Sequence, residues 1–234
     1  TNKSKIRVQE LTVNVYSNQS PSFYAGNDGR VEITGATGES SGQASPLFYA
    51  AAGTVKAEKC RMHAAKWSVG CIDGGLLELT GNELKSNSLC GFLVHGAGDA
   101  RSNGKLILNN NTLTVTDGPL IFVTNAGGEI QLSKNKISCK SDKIISVKGD
   151  EWGIKNRNQG DAVINVLKQT LSGDIYVDSI STLTLNLEKG AKLNGCITGK
   201  ESPRRDVNVS VKKGSTWTLK GDCYISSITF EQNR

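Results

Sequence analysis

Pairs of apolar residues separated by one residue recur along the chain at a near-constant spacing. Leu106-Ile-Leu108 is followed by Ile130-Gln-Leu132 at an offset of 24. In both phrases an Asn stands three positions later (Asn111, Asn135), and an apolar residue follows two beyond it (Leu113, Ile137). Residues two apart lie on one face of a strand. The Asn marks a turn into a second short strand. The same phrase starts at positions 11, 31, 55, 77, 106, 130, 164, 185 and 209, which makes nine registers.

Between consecutive registers lie short apolar runs: 46–50 (Pro-Leu-Phe-Tyr-Ala), 68–72, 90–94, 119–123 and 143–147. Each repeat therefore carries two or three short strands separated by Gly, Asn and Ser corners. The two longest offsets are 29 and 34, and their excess falls at 96–104 and 149–161. Both stretches read as loops inserted at corners.

Few architectures repeat every 20–24 residues with strands and no helical period. A leucine-rich repeat needs its LxxLxLxxN phrase, and a propeller blade needs about 40 residues. An antiparallel sandwich does not hold Asn in one slot. The pattern predicts an all-β, single-domain parallel β-helix of about nine coils spanning residues 1–234, right-handed by the rule for parallel crossovers. Coils stacked about 4.8 Å apart make a rod roughly 43 Å long. Like then sits on like. Asn82, Asn111, Asn135 and Gln169 become a corner ladder, each amide offering donors and acceptors to its neighbours. Gly190 and Gly214 occupy corners that call for positive φ. Residues 1–5 are polar and are expected to fray.

Composition narrows the function. The net charge is +6 (28 Lys and Arg against 22 Asp and Glu), which favours an acidic partner. No basic stripe interleaves with aromatics, so a nucleic-acid partner is not expected. No apolar run reaches the ~18 residues of a membrane-spanning helix, so membrane insertion is not expected either. A monomer is expected. The six Cys (60, 71, 90, 139, 196, 223) form no CxxC and, with His63 and His95, no zinc-ligand spacing. Their apolar neighbours suit small buried hydrophobes, while the even count leaves disulfides open. The two His have no evident acid or Ser partner in sequence.

Several phrases in the second half carry a family resemblance. They are Gly118-Pro-Leu-Ile-Phe-Val-Thr-Asn125, Trp152-Gly153 with Asn158-Gln-Gly160, the stretch 169–181, Gly214-Ser-Thr-Trp-Thr-Leu219 and Gly221-Asp-Cys-Tyr-Ile225. In series they resemble bacterial secreted right-handed parallel β-helix proteins of the carbohydrate-binding or adhesin-like type, a pectate-lyase-like solenoid. That resemblance implies a secreted or cell-surface protein binding polysaccharide or a host or cell-surface glycan, with Ca2+ as an associated ion. The Cys at 196 and 223 and the Lys/Arg content depart from the pattern.

Among candidate site residues, Trp152 stands out in the 149–161 loop, with Asn156, Arg157, Asn158 and Asp161 around it. Such a group suits a sugar platform flanked by amides and charges. The alternative role for Trp152 is to plug its loop against the solenoid wall. Asp174 and Asp178 are the nearest thing to a paired acid site and the candidates for a metal. Trp217 is placed to cap the bore, and Trp67 opens a strand. The expected function is a non-catalytic glycan binder or adhesin. A polysaccharide lyase or glycoside hydrolase on the same scaffold, and a structural stalk, are the rivals.

Overall fold

The computed structural model describes residues 3–199 and 206–231. All of its regular elements are β-strands, and every strand ladder is parallel. Strands stack into a ten-stranded sheet, an eight-stranded sheet and a six-stranded sheet, and a three-stranded sheet follows the six-stranded one along the axis. The protein is a parallel β-solenoid of about nine turns. One turn runs, for example, from Ser102–Asn109 through Thr112–Val115 to Ile121–Thr124 before Ala126–Ser133 opens the next.

The registers read from sequence are the rungs of the ten-stranded sheet from Val31 onward. Val31 pairs with Val55, Leu77 with Leu106, Leu106 with Ile130, Ile130 with Ile164 and Leu185 with Val209. The two end members differ from the sequence reading. Val31 and Ile33 stack on Ile6 and Val8 of Lys5–Gln9, not on Leu11 and Val13. Thr12–Val15 belongs to the six-stranded sheet and pairs with Thr37–Ser40. Alternation is the same in both sheets, so the pattern at 11–15 fitted either slot. At the other end Ser227–Phe230 adds a rung, with Ile228 on Val209 and Phe230 on Val211. Ten rungs bound nine turns, so the turn count holds with shifted ends. Lys5 already lies in a strand, while Thr1 and Asn2 lie outside the described residues.

Inward positions form columns. Leu77, Leu106, Ile130, Ile164 and Leu185 are fully buried one above another, as are Leu79, Leu108, Leu132 and Val166 one slot on. Removing such aliphatic surface from water is the main stabilising term, at about 25 cal/mol per Å2. The columns also compensate in volume. Gly70 sits between Phe48 and Phe92, where a Cβ would meet Leu77 at 2.4 Å and Phe92 at 3.1 Å. Trp217 stacks on Leu193 in the last coils, packs against the core and donates Nε1–H to the Gly195 carbonyl at 2.9 Å.

The amide ladder forms as the repeat predicts. Asn82 Nδ2 donates to Asn111 Oδ1 at 2.9 Å, Asn111 Nδ2 to Asn135 Oδ1 at 3.0 Å, and Asn135 Nδ2 to Gln169 Oε1 at 3.1 Å. The same oxygens accept the backbone N–H of the residue one coil below, down to Cys60. Each Asn also donates to a strand carbonyl of the coil below (Ala57, Leu79, Leu108), so the buried corner is satisfied. Gln169 stands where the six-stranded sheet has ended at Lys136–Cys139 and the three-stranded one begins at Thr170–Ser172. Its extra methylene carries the amide across that break. Gly190 and Gly214 both have φ of 78°. All six Cys are free thiols, four of them buried.

Candidate functional site

The eight-stranded sheet carries a row of mostly apolar and aromatic residues on its outer face as well as on its inner one. In each of its strands the first and third residues of the common phrase point inward, as Phe48 and Ala50 do, and the middle residue points out. In register, the outward row reads Tyr24, Tyr49, Cys71, Leu93, Phe122, Ser146, Tyr176 and Thr198. A second outward row contains Asp73, His95, Thr124, Lys148 and Asp178. Cys71, Leu93 and Phe122 are buried outside the bore together with Cys90, under a cover of Trp67, Leu89, Tyr49 and Trp152. Burial pushes the Cys71 thiol up to about 11 and the Cys90 thiol well above its ordinary value.

The rings run as a chain along this face. Tyr24 and Tyr49 meet edge to face at 5.7 Å, and Tyr49 stacks on His95 at 6.1 Å. Trp152 lies 6.0 Å from His95 and 6.2 Å from Phe122. Burial lowers the His95 pKa, against the opposing charge of Asp73, so the ring is held neutral. Burial, then Asp73, raises Tyr49 to about 12. His63 has a partner that sequence distance concealed: its Nδ1 is 3.0 Å from Glu39 on the coil below.

Both inserted loops close over one residue. Asn125 sits at a corner with φ of 48° and is buried. Its Nδ2 faces the carbonyls of Gly96 and Gly98 at 3.0 Å and of Ala100 at 3.4 Å, holding the 96–104 loop. Its backbone N–H donates to the Asn158 carbonyl at 2.8 Å, holding the 149–161 loop. Arg101 joins the two loops again through the Gln159 carbonyl and the Asp161 carboxylate.

The expected site residues divide accordingly. Trp152 is half-buried and plugs its loop against Phe122 and His95. Asn158 is buried and pins that loop through the Asp150 and Trp152 carbonyls. Asp161 pairs with Arg101 and accepts from Thr182 at 2.9 Å. Asn156 and Arg157 lie at the exposed tip. Asp174 and Asp178 do not converge. Asp174 Oδ1 accepts the Cys196 N–H at 2.8 Å, and Asp178 accepts from Gly149, Ile180 and Ser181. Both act as caps on backbone donors, and among the described residues no three His, Cys, Asp or Glu side chains gather around one point.

Beside Trp152 the outer face opens into a groove of about 410 Å3, lined by Leu89, Pro119, Phe122, Lys143, Ser146, Lys148, Asp150 and Tyr176. Ser146 stands in register between the Phe122 and Tyr176 rings, one coil from each. Lys148 Nζ lies 5.2 Å from the Phe122 ring centre and Lys143 Nζ 5.1 Å from that of Tyr176. Lys148 also pairs with Asp150 at 2.6 Å. Burial pushes the Asp150 carboxyl up, but Lys148 and the Glu151 N–H outweigh it and hold the group below its ordinary range. A larger hollow of about 860 Å3 lies at the corner between the eight- and ten-stranded sheets. Its floor is glycine because the corner is tight: a Cβ at Gly75 would lie 2.5 Å from the Gly53 carbonyl oxygen. Several of its charges are paired, Lys105 with Glu129 at 2.7 Å and Asp161 with Arg101.

Phe122, Ser146, Lys148 and Tyr176 of the groove were not singled out as site residues by sequence. A signal existed in the repeated Phe23-Tyr-Ala25 and Phe48-Tyr-Ala50, where the middle residue of a buried run faces outward. No protein-family model, curated protein or solved structure matches the chain, so its own register is what establishes the solenoid.

Proposed function

We propose that this protein is a non-catalytic binder of acidic polysaccharide, working outside the cell or on its surface, and that the Ser146 groove is where the glycan sits. The observation that carries the proposal is the placement of Lys143 and Lys148 over the rings of Tyr176 and Phe122 on either side of Ser146. The half-buried Tyr176 ring offers flat apolar surface to the C–H face of a sugar, while the buried Phe122 ring backs the Lys148 ammonium. Ammonium groups beside them meet carboxylates, and Ser146 and Asp150 supply hydrogen-bonding partners to hydroxyls. The groove carries two lysines against one acid, so it favours an anion. The overall charge of +6 adds attraction at longer range. Trp152 acts from behind by fixing Phe122, rather than as an open platform.

Titration calorimetry against a panel of uronate-containing and neutral glycans tests this reading. Binding of acidic members, weakened at least tenfold by Lys148→Ala or Tyr176→Ala and falling with added salt, is the expected result. No binding to any glycan, or binding indifferent to these substitutions, overturns it. Release of unsaturated uronide by the wild-type protein would instead place it among the lyases.

A further inference from the structure

The last coil brings together two cysteines distant in sequence. Gly195 N–H donates to the Thr218 carbonyl at 3.0 Å, and Tyr224 N–H donates to the Ile197 carbonyl at 2.8 Å. Between these two bonds one strand has a single residue, Cys196, while the other has five, residues 219–223. The longer segment therefore folds over Cys196. Gly221 packs there, with a Cβ position 3.8 Å from the Cys196 Sγ, and the Cys223 Sγ lies 3.8 Å from the Gly221 carbonyl. The Cys196 thiol lies close enough to Cys223 to raise the pKa of the Cys223 thiol. The Tyr224–Ile197 bond brings the adjoining residues Cys223 and Cys196 of the two coils together, and a disulfide spans Cα separations of about 4.4–6.8 Å.

We propose that Cys196 and Cys223 form a disulfide when the protein meets a disulfide oxidant such as oxidised glutathione, stapling the C-terminal segment to the coil below. Cys223 is half-buried and Cys196 is buried, so Cys223 reacts first. Its thiolate attacks one glutathione sulfur, the glutathione S–S bond breaks, and one glutathione leaves, taking up the proton that Cys223 lost. Cys196, on losing its proton, then displaces the second glutathione from Cys223. Two protein thiols are oxidised to one disulfide, and one oxidised glutathione is reduced to two thiols. Burial raises Cys223 to about 11. Closure is therefore slow at neutral pH and accelerates about tenfold per pH unit as the thiolate fraction grows.

Trypsin places the two residues on separate peptides, 193–200 and 221–234. After incubation of the native protein with oxidised glutathione at mildly alkaline pH, these peptides are expected as one cross-linked species that a reductant separates. In Cys196→Ser the cross-link is lost and Cys223 retains glutathione. The Tyr224 amide of the oxidised wild type exchanges more slowly than that of the reduced form. Recovery of the two peptides separately, as free thiols or both glutathionylated, overturns the proposal. So does a cross-link that appears only in denaturant.

Discussion

Gly153 rests directly on the carboxamide of Asn125: a Cβ at residue 153 would lie 2.5 Å from both Cγ and Oδ1 of that amide. The contact joins one inserted loop to the residue that holds the other. Gly153 also has φ of 78°, a conformation costly for any other residue. Gly153→Ala is therefore expected to loosen both loops at a cost of about 1–3 kcal/mol. Hydrogen exchange at the Asn125 and Arg157 amides reads this. Unchanged protection at both would show that the loops are held elsewhere.

The amide ladder makes a stronger demand. Asn111 Nδ2 donates to Leu79 O and Asn135 Oδ1, and its Oδ1 accepts from Asn82 N and Nδ2, all within a buried corner. Asn111→Ala strands several of these groups at about 1–3 kcal/mol each. Urea unfolding should show a loss of at least about 3 kcal/mol. Thr112→Ala, one position along and exposed, should change little.

Glu32 gathers three cations near the first rungs: Lys5 at 3.0 Å, Arg7 at 2.9 Å and Arg30 at 2.6 Å. Hydrogen bonds from Lys5, Arg7 and Arg30 lower its pKa from 4.5 to about 2. A depressed carboxyl contributes stability that is fully present above the unfolded-state value and lost as pH falls through the folded one. The Tm difference between wild type and Glu32→Gln should thus be complete near neutral pH and shrink between 4.5 and about 2. The cluster is open to solvent, so salt should also reduce the difference. A difference constant across that range would refute the assignment.

His95 titrates with the opposite chemistry and the same direction of pH effect. Burial between Tyr49 and Trp152 lowers its folded pKa below 6.5. The unfolded chain then binds the proton more readily, so stability is complete above 6.5 and declines as pH falls from there to the folded value. NMR titration of the His95 ring should give a midpoint below 6.5. His95→Gln should flatten that part of the stability profile.

Much of this molecule was legible in one dimension because a solenoid converts sequence offset into spatial neighbourhood. Leu106 sits on Ile130 and Asn111 on Asn135 because equal slots in successive coils must share one wall. The length in excess of the repeat likewise located both loops. Three features required the folded chain. The first rung is Ile6 and Val8, because alternation is identical in two sheets and only hydrogen-bond register separates them. The outward row from Tyr24 to Tyr176 is hidden inside apolar runs, since hydrophobicity does not say which residue of a run faces away from the bore. The meeting of the two loops on Asn125 depends on corner geometry and on contacts between residues up to 60 positions apart, as in Arg101 with Asp161. Repetition encodes neighbours along the axis. What lies across the outer face is not periodic, and only packing decides it.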